Sequence, residues 1–141
     1  MRTLNFIALL LLFFSCEKNN LTIHSFENNS WDYQESIIFG FNINDTTESY
    51  DLSFFLRNTL SYEYRNLFLI VQINYSDEII SVDTLEYSIA DKYGQWFGRG
   101  LGKMKDNYFI FSEKASFKNL GQHELVVHHG MRNNPLIGVN K

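Results

Sequence analysis

One cysteine, Cys16, is all the thiol chemistry the chain has, so no disulfide can close within its 141 residues. No apolar run reaches the ~20 residues that a membrane-spanning helix requires. No Lys/Arg cluster stands out along the sequence, and acidic residues outnumber basic ones 16 to 12. That balance argues against nucleic acid or an anionic lipid surface as a partner. There is no Gly-x-Ser-x-Gly, no low-complexity tract, no internal repeat and no amphipathic helix longer than two turns. What remains is a small β-rich domain behind a distinctive N-terminus.

That N-terminus reads as an export signal. Met1-Arg2-Thr3 carries a positive charge, Leu4 to Phe14 is apolar except for Asn5, and the small residue Ser15 precedes Cys16. An exported chain with a lone thiol needs a use for it, and Phe13-Phe14-Ser15-Cys16 resembles a bacterial lipobox, although leucine is usual where Phe13 stands. Lipid on Cys16 would anchor the mature chain without a spanning helix, since two or more acyl chains hold stably where one does not. The expected organisation is a signal peptide over 1–15, a lipidated tether over 16–30 and one domain over 31–141. Cleavage leaves 126 residues and moves the formal charge from −4 to −5. A domain of that size can bury well over half of its unfolded surface and needs neither metal nor disulfide to fold. The tether is rich in Asn and Ser, with Leu21, Ile23 and Phe26 loosely alternating, so part of it could pair as an edge strand. Glu17 to Ser30 would reach at most about 50 Å at ~3.5 Å per residue.

From Trp31 onward the apolar residues recur with period two, the signature of strands with one face buried. The rows are Phe39, Phe41, Ile43; Tyr50, Leu52, Phe54, Leu56; Leu67, Leu69, Val71, Ile73; Leu85, Tyr87, Ile89; the short run Tyr108 to Phe111; and Leu125, Val127. Turn chemistry separates them at 44–47, 74–77, 91–102 and 119–121. The expected fold is all-β, an antiparallel two-layer β-sandwich. Its expected core contains Phe41, Leu52, Phe54, Leu69, Val71, Leu85, Tyr87, Leu125 and Val127. Phe55, Phe68 and Ile70 put apolar groups on second faces, which places their strands centrally or against a partner.

No constellation points firmly to chemistry. His123, His128 and His129 could hold zinc in principle. On a strand, however, only His123 and His129 share a face, about 20 Å apart at ~3.3 Å per residue, so surface or half-buried histidines are the better reading. Gly98-Arg99-Gly100-Leu101-Gly102 looks like a phosphate loop, but no helix follows it. A strand bend or a close backbone approach fits those glycines better. Asp77-Glu78 and Asp83-Glu86 read as solvated charge rather than an acid/base pair. No metal and no cofactor is expected, and no residue is nominated as catalytic. Trp31, Trp96, Tyr62, Tyr64 and Tyr93 sit beside turns, either as core packing or as a recognition surface. The candidate surface is the 91–102 loop with Asp91, Tyr93, Trp96, Gly98 and Gly100. For Trp96, a core plug is weighed slightly above a binding anchor.

An ordered set of segments carries a family resemblance. These are Arg57-Asn58; Tyr62-Glu63-Tyr64-Arg65-Asn66-Leu67; Asp83-Thr84-Leu85-Glu86-Tyr87; Asp91-Lys92-Tyr93-Gly94-Gln95-Trp96-Phe97-Gly98-Arg99-Gly100; Gly121-Gln122-His123; and Met131-Arg132 with Leu136-Ile137-Gly138-Val139. Together they resemble the gliding-motility lipoprotein family GldH of the Bacteroidetes across essentially the whole mature chain. The resemblance implies a cell-envelope lipoprotein needed for gliding and linked to type IX secretion. It implies partners among the other proteins of that machinery, attachment to the outer membrane facing the periplasm, and no catalytic residues. It also implies a further strand past Gly138-Val139, where this chain stops at Lys141. The alternative function is a carbohydrate- or peptide-binding envelope lipoprotein with the turn aromatics as its platform; an unrecognised hydrolase ranks third.

Overall fold

A computed structural model describes residues 21–141. The signal segment, Cys16 and the first part of the tether lie outside the described residues. The period-two rows form strands: β1 (Ser30–Trp31), β2 (Ile37–Ile43), β3 (Tyr50–Thr59), β4 (Asn66–Tyr75), β5 (Glu78–Ser88), β6 (Met104–Ala115), β7 (Gly121–His129) and β8 (Leu136–Ile137). One layer is an antiparallel sheet in the order β2-β7-β4-β5. The other is built on the β3-β6 ladder. The C-terminal segment continues that second layer: Thr59 N donates to Gly138 O at 2.7 Å, and Asn140 N to Arg57 O at 2.8 Å. On its far side lie the β1-β8 pair and a bond from Phe26 N to Asn140 O at 3.0 Å. The antiparallel two-layer sandwich expected from the sequence is therefore what forms.

Local chemistry explains the main turn. Ser76 and Asp77 both have positive φ, 49° and 65°, which is the conformation of a tight two-residue hairpin joining β4 to β5. The central strand β4 turns Leu67, Leu69, Val71 and Ile73 inward, all buried. At about 1.5–3 kcal/mol per buried aliphatic side chain, that one row stabilises the fold by roughly 6–12 kcal/mol before entropy is counted. Strand β6 runs well beyond the Tyr108–Phe111 stretch recognisable in the sequence, because Met104–Asn107 and Ser112–Ala115 have no apolar alternation of their own. The ladder with β3 imposes the extended backbone there.

Two expectations change. Of the nine predicted core residues, Leu69, Val71, Leu125 and Val127 are buried, whereas Phe41, Leu52, Phe54, Leu85 and Tyr87 are only half-buried. Four of those five lie where the layers stand apart around a cleft of about 290 Å³, lined by residues including Leu52, Ile73, Asp83, Leu85, Phe111 and Ala115, or next to it, where the Phe54 and Tyr87 rings meet edge to face at 5.8 Å. Phe41 belongs to β2, an edge strand. Period two tells which face a residue is on, not how closely the opposite layer approaches. The packed domain also reaches back into the segment read as tether, because Phe26 is buried and its ring lies 4.8 Å from that of Trp31.

Candidate interaction surface

The loop between β5 and β6 is a fixed frame. Asp91 Oδ1 accepts hydrogen bonds from the backbone amides of Tyr93 and Gln95, both at 2.8 Å. Asp91 N donates to Gln95 O at 2.9 Å, and Gly94 N to Asp91 O at 3.1 Å. Asp91 thus closes a turn in the manner typical of Asp side chains. The chain then rejoins the sandwich through Phe97 N to Ile89 O at 2.9 Å, while Ile89 and Ala90 both donate to Arg65 O in the β3–β4 connection. A second ladder ties Arg99 to Asp106, with N–O distances of 3.0 and 2.7 Å. Gly98 and Gly100 are there because the loop lies directly on β6. A Cβ at Gly98 would come within 2.7 Å of Asn107 Oδ1, and one at Gly100 would collide with Met104 O.

This frame sorts the nominated residues. Asp91 is a turn staple, and Gly98 and Gly100 permit the close approach. Trp96 is half-buried against the core, 6.5 Å from the ring of Tyr62. Tyr62 is itself buried, donates to Asn66 O at 2.8 Å, and has its hydroxyl pKa pushed up by burial and by neighbouring Tyr64. Tyr93, by contrast, is 83% exposed, with the Lys92 ammonium 4.9 Å from its ring centroid. The cleft between the layers is lined by neither Trp96 nor Tyr93.

Three residues at this end went unnominated. Leu101 is 96% exposed, Phe97 59%, and Leu60, whose amide bonds Lys103 O, 50%. For Phe97 and Leu101 the available signal was apolar side chains spaced between glycines in a segment with no strand periodicity; Leu60 had none. Close to them Arg57 and Asp106 form a two-pronged ion pair, Nε–Oδ1 2.5 Å and Nη2–Oδ2 2.8 Å. That hydrogen bonding holds the Asp106 carboxyl below its usual range and raises the guanidinium pKa. Beneath lies a buried amide pair, with Asn107 Nδ2 donating to Asn58 Oδ1 at 2.8 Å.

The histidines take other roles. His123 and His129 share the inward face of β7, but both are buried rather than at the surface. His123 is packed by the rings of Phe41, Tyr75 and Phe117. His129 meets Trp31 edge to face at 5.3 Å, and neither of its ring nitrogens has a hydrogen-bond partner among the described residues. Burial lowers its pKa; Asn134, the Trp31 backbone and Asp32 lie close enough to oppose that, though not in hydrogen-bonding geometry. Among the described residues no group of His, Cys, Asp and Glu is placed to hold a metal ion.

Fold and loop together define a β-sandwich scaffold that presents an apolar, loop-built end. Comparison with known proteins gives the family. The model of the family described as GldH lipoprotein matches residues 20–141. The chain is 32% identical over 129 residues to the gliding motility lipoprotein GldH homolog of Christiangramia forsetii, covering 92% of this chain and 80% of that protein. It is 31% identical over 123 residues to the gliding motility lipoprotein GldH of Flavobacterium johnsoniae, covering 86% and 76%. No solved structure matches. The chain belongs to the GldH lipoprotein family: it is a gliding-motility lipoprotein of the cell envelope.

Proposed function

We propose that this lipoprotein acts without catalysis, by holding other proteins of the gliding and type IX secretion machinery, from the periplasmic face of the outer membrane through lipid on Cys16. The observation that carries this is the exposed set Tyr93, Phe97 and Leu101 on a loop frame held by Asp91 and the Arg99–Asp106 ladder, with exposed Leu60 tied to the end of that loop through Lys103 O. Clustered exposed apolar groups beside polar residues are what interaction sites present. A rigid frame lowers the ordering cost of binding. Anchoring confines the domain to a thin layer and raises its effective concentration for neighbours there. With Phe26 packed and His24 Nε2 3.0 Å from Glu35 Oε1, the length of chain from Cys16 to Ile23 reaches at most about 28 Å, so the partners lie close to the membrane.

The test is colony spreading by cells carrying Phe97→Ser with Leu101→Ser. Both side chains are exposed, so the melting temperature should hold while gliding is lost. Full gliding at normal protein levels would defeat the reading. So would a purified domain that turned over an envelope substrate.

A further inference from the structure

The basic residues that look scattered in the sequence are gathered by the fold. Residues 57–65 and 91–106 contain Arg57, Arg65, Lys92, Arg99, Lys103 and Lys105, half of the chain's twelve Lys and Arg, against Glu63, Asp91 and Asp106. Two of those acids are engaged locally, Asp91 in its turn and Asp106 with Arg57. The two segments are joined where Arg57, Asn58 and Thr59 pair with Asp106, Lys105 and Met104 and where Leu60 N donates to Lys103 O, so they form one end of the sandwich. Those two segments carry a net charge of +3 on a chain of net −4, leaving −7 for the rest of the sequence. The exposed side chains of Leu60, Tyr93, Phe97 and Leu101 stand on the same two segments.

Resting on the interaction reading above, we propose that this end docks an acidic polypeptide surface, with the basic side chains steering it and the apolar ones seated against it. Charge complementarity selects the occupant: an acidic surface is attracted here and repelled by the rest of the domain. The rigidity of the frame selects a protein over a lipid bilayer. Asp91, Gly98 and Gly100 hold the backbone that carries the apolar side chains of this loop, and a held backbone favours a partner with matching shape, whereas a fluid headgroup layer has no shape to match.

The test places a photo-crosslinking residue at Leu101 in the native cells, identifies the adduct and measures the affinity of the captured protein for the full chain. The expected result is a polypeptide whose binding weakens at least about tenfold with Arg99→Glu plus Lys103→Glu. It should weaken similarly when salt rises from about 0.05 to 0.5 M. Lys114→Glu plus Lys118→Glu, at the other end of β6, should change little. A captured protein indifferent to charge and salt overturns the acidic-surface proposal and leaves the interaction reading standing. Adducts with lipid alone, or no adduct with gliding intact in the charge-reversed cells, overturn both.

Discussion

The amide pair under the loop offers a sharp test of how the second layer is held. Asn58 is fully buried and Asn107 nearly so. Asn107 Nδ2 donates to Asn58 Oδ1 at 2.8 Å and approaches Leu56 O at 3.3 Å, while Asn58 Nδ2 donates to Thr59 O at 3.0 Å. Asn58 also bridges Val139, where the C-terminal segment crosses β3. Asn107→Ala strands the Asn58 oxygen in a site closed to water, at about 1–3 kcal/mol. Lost packing adds about 1 kcal/mol. The sum is about 2–4 kcal/mol. With an unfolding entropy of about 2.1 cal/mol/K per residue, a domain of roughly 120 residues loses about 4 °C per kcal/mol, so the midpoint should fall by about 8–16 °C. Adding Asn58→Ala removes the orphaned group, and the double variant should cost less than the sum of the singles by about 1 kcal/mol or more. Calorimetry on the four proteins decides it. Single variants costing under about 1 kcal/mol, or strictly additive ones, would refute the claim that these amides satisfy each other.

Four further outcomes are expected. His129 is buried with its pKa lowered; the unfolded chain therefore takes up the proton first, so stability should decline as pH falls below about 6.5 and level off once the folded ring is charged as well. His129→Phe should flatten that part of a pH series of denaturant melts. Gly138 has φ +90°, and a Cβ there would run into the backbone of Tyr62; Gly138→Ala should cost about 2 kcal/mol or more, and a neutral result would mean the C-terminal segment can shift away. Trp96→Ala should lower the melting temperature by several degrees through lost contact with Tyr62, whereas Leu101→Ser should leave it unchanged; equal melting for the two would undo the division of the loop into a packed and a presented side chain. Cys16→Ala should shift mature protein from the membrane fraction to the soluble one, and continued membrane retention with the N-terminus intact would point to a signal anchor instead.

The alternation of Leu67, Leu69, Val71 and Ile73, and of Leu125 and Val127, was enough to fix the fold class and much of the core, because side-chain direction in a strand depends on local backbone geometry alone. Turn composition placed the loop, and the glycines at 98 and 100 announced a close approach. The ordered motifs carried the family. Three things were decided only by tertiary structure. Layer separation left Leu52, Phe54, Leu85 and Tyr87 half-buried, since it depends on how far apart two sheets settle. The far ends of β6 became strand only through pairing with β3. The division of the 91–102 loop into Trp96 inward and Tyr93, Phe97 and Leu101 outward, with Leu60 and Arg65 brought beside it, arose from hydrogen bonds linking residues distant in sequence. A pattern along one chain records which way each side chain points; which other segments it will meet is set by pairings that no local pattern encodes.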